Sequence, residues 1–340
     1  MGDQLVRATA MDGGIRVVGV ITTNLAQEAR KRHKLSYVAS AALARAMTAG
    51  LLLASNMKAR RSRVNVNIQG EGPLGSIHID AGLDGTVRGY VDNPDIELPL
   101  TLDGKLNVAE AVGKKGYFHV RRDVGQGTPY SSTVELVSGE IGEDITHYLA
   151  TSEQTPSAVI VGEFITTEGV KAAGGLLLQI LPEVTHNNPK AQSPESKMAE
   201  LSGFSPSLYS GRTLQDVFDQ WLADIGDPTL VQTLESRIMG ISGFTSLLRS
   251  GKSLEEIFEH LLGDMGLQIL PDVKQLRFNC GCSFDRVLGA LKILGEAELQ
   301  DMIEKDHGAE ATCHFCNTVY HANPDQLGKL IGDLRESSAA

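Results

Sequence analysis

All four cysteines of this 340-residue chain fall within 37 residues, as Cys280-Gly281-Cys282 and Cys313-His314-Phe315-Cys316. They sit in RFNCGCSFDRV (277–287) and ATCHFCNTVYH (311–321), and no thiol occurs elsewhere. Thiols this concentrated restrict what the C-terminal part can become: a disulfide staple, a metal site, a redox couple or a nucleophile. The surrounding segment is short and poor in aromatics, so it buries little core and needs an extra tie. Two close pairs of thiolates separated by 30 residues suit tetrahedral zinc, one ion per chain. His314 and His321 compete as ligands, but the four sulfurs are complete without them. A filled tetrahedron also leaves no open position for a nucleophile.

The compartment bears on the staple. The start MGDQLVRATAMDGG has no basic segment followed by an apolar run, and Val6 stands where a myristoylation signal wants Ser or Thr. The stretch 35–57 is long and apolar, but it carries Arg45 and many Ala, Ser and Thr residues, so a buried helix is expected rather than a membrane span. A cytosolic protein follows as the expectation, and there a stable structural disulfide is disfavoured. With 31 basic and 42 acidic residues the net charge is −11, which argues against a binder of nucleic-acid backbone. The basic run 58–63 reads as a solvated turn.

The pattern along the chain is α+β: a mixed sheet-and-helix domain over 1–183, a helical linker over 184–272, and a small zinc-binding module over 273–340. Alternation predicts strands at Val64–Gln69, Ile77–Ile79 and Thr86–Val91, with more near 117–122, 132–138, 159–165 and 174–181. GEGPLG (70–75) spells G-x-G-x-x-G, but Pro73 and the alternating strand that follows make it a hairpin turn, not a dinucleotide loop. The linker holds an internal repeat: 201–230 matches 241–270 at an offset of 40, with 12 identities in 30. Each copy predicts an amphipathic helix, capped by Thr213 or Ser253, with a stripe of Leu214, Val217, Phe218 and Leu222 or Leu254, Ile257, Phe258 and Leu262. Two repeats are too few for a solenoid, so these helices should pack on the first domain or form a helical hairpin. In the module, Ser283 should cap a helix over Phe284–Leu294, a second helix should run over about Glu296–Asp306, and Cys313 and Cys316 should lie on a turn.

These features together resemble the heat-shock protein 33 family, the 33-kDa redox-regulated chaperonins of bacteria. The resemblance rests on SAALARAMTAGLLLASNMK, GEGPLGSIHIDAGLDGTVRGYVDNP, SGEIGEDITHYLATSEQTPSAVIVGEF, AAGGLLLQILPE and the two cysteine motifs with the residues around them. It implies a cytosolic, ATP-independent holdase, not an enzyme, that is inactive when reduced and zinc-bound. It further implies that Cys280, Cys282, Cys313 and Cys316 hold the zinc. Oxidation would form Cys280–Cys282 and Cys313–Cys316, release the metal, unstructure module and linker, and bare apolar surface to unfolding clients, commonly in a homodimer. Nearest-neighbour spacing leads to the same pairs, and the one-residue loop should be strained and easily reduced. The family carries one linker segment of this kind, so the first of the two copies here reads as an inserted duplicate. Two other readings stay open on the residues alone: a zinc-module nucleic-acid binder, and a dithiol oxidoreductase using Cys313-His314-Phe315-Cys316.

Overall fold

The run IRVVGVI at Ile15–Ile21 (β2) shows no alternation because both of its faces are buried. It pairs antiparallel with β1 (Gln4–Ala10) on one side and β9 (Gly169–Ile180) on the other, and β9 pairs with β8 (Ser157–Thr166). The computed structural model describes residues 2–125, 127–155, 157–181, 233–234, 236–238, 240 and 243–339. It divides into two units, Met1–Phe278 and Asn279–Ala340.

The second sheet of the first unit has the order β5-β4-β3-β6-β7, all antiparallel: β3 (Arg63–Gly70), β4 (Ser76–Gly82), β5 (Thr86–Val91), β6 (Gly116–Asp123) and β7 (Tyr130–Glu135). GEGPLG ends β3 and turns the chain into β4, as a hairpin. The strands expected from alternation are present. The first two, β1 and β2, were not anticipated from the sequence pattern, nor were the shorter helices α1 (Thr23–His33), α3 (Val108–Val112) and α4 (Ile141–Ser152).

Between the sheets runs α2 (Tyr37–Ala54), capped by the Ser36 hydroxyl, which accepts from the Ala39 N–H at 3.2 Å. It is the one described helix long and apolar enough to cross a membrane, yet 16 of its 18 residues are buried in the fold. A helix apolar all round suits a protein core as well as lipid. Arg45, the residue that argued against lipid, is held from two sides. Glu163 of β8 accepts from Nε at 2.7 Å and from Nη2 at 3.0 Å, and Glu140 accepts from Nη1.

The described part of the linker covers the outer face of the first sheet. Helix α5 (Phe244–Arg249) and helix α6 (Leu254–Leu262) bury Phe244, Leu254, Ile257, Phe258, Leu261 and Leu262 against Val6, Ala8, Val17, Ile21, Leu176 and Leu178. Each large side chain so buried contributes about 1.5–3 kcal/mol. Helix α6 begins with a full capping box: Ser253 Oγ accepts from the Glu256 N–H at 3.2 Å, and Glu256 accepts from the Ser253 N–H at 2.7 Å. Beyond α6 the chain adds edge strands. β10 (Gln268–Ile269) and β11 (Lys274–Gln275) pair with β1, and β12 (Arg277–Phe278) pairs parallel with β5 of the other sheet. The second repeat copy therefore packs on the first domain rather than as a free hairpin. The first copy, 201–230, lies outside the described residues.

Candidate metal centre

In the second unit, each cysteine pair sits on a backbone feature that aims its sulfurs. Cys282 immediately precedes Ser283, the N-cap of helix α7 (Phe284–Ile293), whose hydroxyl accepts from the Arg286 N–H at 3.3 Å. A helix N-terminus favours a thiolate. Helix α7 gives way to α8 (Glu296–Lys305) through Gly295 at φ +87°. The other pair lies in the loop of a hairpin, β13 (Ala309–Thr312) with β14 (Val319–Ala322). There the Cys313 carbonyl accepts from the Cys316 N–H (3.2 Å) and the Asn317 N–H (2.7 Å), and the Cys313 N–H donates to the Thr318 carbonyl at 2.9 Å. Asn317 takes the left-handed conformation, φ 56°, that closes the turn. The last helix, α9 (Pro324–Ala339), completes a small core of Leu291, Leu299, Ala322, Leu327, Leu330 and Ile331.

This arrangement brings the four sulfurs within 4.8 Å of one another. Cys280 Sγ lies 3.7 Å from Cys313 Sγ, and Cys282 Sγ lies 3.3 Å from Cys316 Sγ. Zinc–sulfur bonds of about 2.3 Å in a tetrahedron put the sulfurs about 3.8 Å apart, so the cluster has the dimensions such an ion requires. Neither histidine belongs to it. His321 Nδ1 faces Glu310 at 3.5 Å, on the neighbouring strand, and His314 is not among the clustered donors.

Two hydroxyls that the sequence reading assigned no part in the site touch the sulfurs. Tyr320 Oη donates to Cys282 Sγ at 3.1 Å, and Thr318 Oγ1 lies 3.3 Å from Cys316 Sγ. Burial, the largest influence, pushes the Cys313 thiol up to about 12, helped by the Cys316 thiol. Burial also opposes ionisation of Cys316, but hydrogen bonds from Thr318, through its side chain and backbone, and from Cys282 and Cys313 together outweigh it and bring that thiol down to about 7. Burial raises Cys282 despite the Tyr320 hydroxyl. The signal available for Thr318 was its place two residues past Cys316, where a tight loop returns its side chain to the metal side. That for Tyr320 was strand alternation from the same turn.

A family model described as Hsp33 protein matches residues 3–323. The chain belongs to the Hsp33 family. Hsp33 relatives named 33 kDa chaperonin match along their whole length: one from Rippkaea orientalis is 60% identical over 338 residues, 99% of each chain. Another, from Synechocystis, is 58% identical over 339 residues, covering 100% of this chain and 99% of that one. The crystal structure of a 33 kDa chaperonin from Thermotoga maritima superposes with a TM-score of 0.80 at 30% identity, covering 99% of this chain and 100% of that one. The α+β fold expected from the sequence is therefore that of Hsp33. The relatives from Rippkaea orientalis and Synechocystis align over 99–100% of this chain, the two-copy linker region included.

Proposed function

We propose that this Hsp33 chain is a cytosolic, ATP-independent holdase whose switch is the oxidation of Cys280, Cys282, Cys313 and Cys316. The observation that carries the reading is a position in the chain. The sulfur cluster begins just beyond Phe278, the end of the segment whose helices α5 and α6 lie over the apolar outer face of the β1–β2–β9–β8 sheet. The four cysteines would hold one zinc ion as thiolates. Zinc, when bound, ties the unit together with energy of about 10–16 kcal/mol, as much as a domain's whole stability.

In the folded unit all four sulfurs are close, so the fold does not select which of them pair. Chain length does. Closing a loop over one or two residues costs far less order than closing one over thirty, which favours Cys280–Cys282 and Cys313–Cys316 once the unit loosens. Each disulfide forms as two thiolates pass two electrons to an oxidant such as hydrogen peroxide, whose O–O bond breaks and which takes up two protons from solvent to leave as two water molecules. Four thiolates consume two equivalents, and disulfide sulfurs no longer form an anionic ligand set. Asn279–Ala340 then loses its tie, the segment through β12, α6 and α5 is released, and Val6, Ala8, Val17, Ile21, Leu176 and Leu178 become available to unfolding clients. Activity is binding without turnover, and the oxidised form acts as a homodimer.

Zinc content and suppression of client aggregation, measured on the same samples before and after peroxide, test this. One zinc per chain should leave as holding activity appears, and a reductant with zinc should reverse both. Oxidised protein that keeps its zinc, or that gains activity with all four thiols still titratable, would sink the proposal.

A further inference from the structure

The outer face of the first sheet is floored by glycine where the linker enters it. The three atoms nearest to a Cβ on Gly19 would all belong to the linker: Leu254 Cδ2, Phe258 Cε1 and Phe258 Cζ, each 2.9 Å from where it would stand. On the neighbouring strand, a Cβ on Gly174 would come 2.4 Å from the Val20 carbonyl oxygen, inside the sheet, and then 3.1 Å from both Phe244 Cε1 and Leu248 Cδ1. Gly19 pairs with Leu176 and Gly174 with Ile21, so the two glycines lie on nearby rungs of β2 and β9, facing the same way. They form two sockets, one for the Phe258 ring and one for the Phe244 ring.

Four linker side chains thus reach the glycines: Phe244, Leu248, Leu254 and Phe258. The repeat is identical at only 12 of 30 positions, yet all four of these are identical in the first copy, as Phe204, Leu208, Leu214 and Phe218. The Ser253–Glu256 capping pair has its counterpart in Thr213 and Asp216, again a hydroxyl with a carboxylate three residues on. Identity at the socket-filling positions lets the first copy present the same side chains to the same socket.

We infer that residues 201–222 are an alternative occupant of the Gly19–Gly174 trench, exchanging with 241–262 of the same chain. The tether allows it. Leu181 closes onto the Gly14 carbonyl at 2.8 Å just beyond β9, the strand that carries Gly174. Twenty residues separate Leu181 from Ser202, a reach of up to about 60 Å when extended. Two differences explain why the second copy holds the trench. Val217 replaces the buried Ile257 with a smaller side chain, and Trp221 replaces Leu261, which is fully buried, with a much larger one. The consequence for activity rests on the chaperone reading, though the docking itself does not. When oxidation frees α5 and α6, the first copy competes with clients for the vacated trench and acts as a brake.

Trp221 is the only tryptophan, so it reports on the exchange directly. In the reduced, full-length chain, Phe258→Asp puts a carboxylate over Gly19 and expels α6. Trp221 emission should then move to shorter wavelength and become less quenched by iodide than in the parent, independently of protein concentration. Adding either Phe218→Asp or Gly19→Leu to Phe258→Asp should abolish the shift. An unmoved emission, a shift that survives Phe218→Asp, or one that grows with protein concentration overturns the inference. Should Phe258→Asp fail to fold, a synthetic peptide of residues 201–222 added to the parent should raise hydrogen exchange in 254–262, and the same peptide bearing Phe218→Asp should not. Absence of that increase also overturns it. Neither readout involves client holding, so failure here leaves the redox switch standing, and failure of the switch leaves the docking standing.

Discussion

Asp144 shows how one residue can carry a pH dependence unrelated to the thiols. Its carboxylate oxygen Oδ1 accepts from the Val137 N–H at 2.8 Å and the Ser138 N–H at 3.2 Å, while the buried Oδ2 has no partner among the described residues. Burial dominates over those bonds and pushes the carboxyl up to about 6 from the ordinary 3.8. A raised folded-state value means that the folded chain keeps a proton the unfolded chain has lost. The contribution is complete below the ordinary value and disappears as pH climbs through about 6. Asp144→Asn should remove this dependence. Relative to the parent, its stability in urea should improve by about 2–3 kcal/mol between pH 4 and pH 8. A constant difference across that range would refute the assignment. No pattern in the sequence marked Asp144, since burial of a carboxylate depends on what folds over it. Thr318 and Tyr320 carried only a faint signal, their spacing from Cys316, whereas the four cysteines stood out by scarcity and spacing.

Among the elements, α6 and α7 were readable because their caps and stripes are local: Ser253 and Ser283 cap where the sequence places them. The linker helix is also where a small change should tell. Ser253→Ala removes one half of the capping box and should cost about 1 kcal/mol, a factor of about five in opening. Hydrogen exchange of 254–262 in the reduced protein should speed up by about that factor with exchange elsewhere in the first unit unchanged; equal protection in both proteins would mean that α6 is held by its apolar face alone. β1 and β2 were missed for the opposite reason. A strand covered on both faces loses the alternation that announces strands, and β2 is covered on one face by α2 and on the other by a linker more than two hundred residues away.

For the whole molecule, the division into two units predicts that they come apart on different terms. Among its described residues the second unit buries six apolar side chains in its own core, and a core of that size supplies at most about 3–5 kcal/mol. The first unit has two large clusters around its sheets. A strong zinc chelator added to reduced protein should therefore melt Asn279–Ala340 and spare the sheets. Near-complete hydrogen exchange in 280–335 with retained protection in β2, β3 and β9 is the expected pattern. A second unit that stays protected without metal would show that its apolar core suffices, and would weaken the case for a metal-held switch.

Sequence alone determined the properties that depend on neighbours along the chain: the thiol pairs, the helix caps, the alternating strands, the repeat and the resemblance to a family. Only the tertiary structure decided what depends on neighbours in space. It showed that an apolar helix with an arginine in it is core because Glu140 and Glu163 come to meet that charge. It also showed that Gly19, unremarkable as a letter, is a socket for Phe258 of the linker, and that Gly174 makes room for both the Val20 carbonyl and Phe244. A glycine in a strand is ambiguous until the side chain that needs its missing Cβ can be seen, and here that side chain arrives from the far end of the linker.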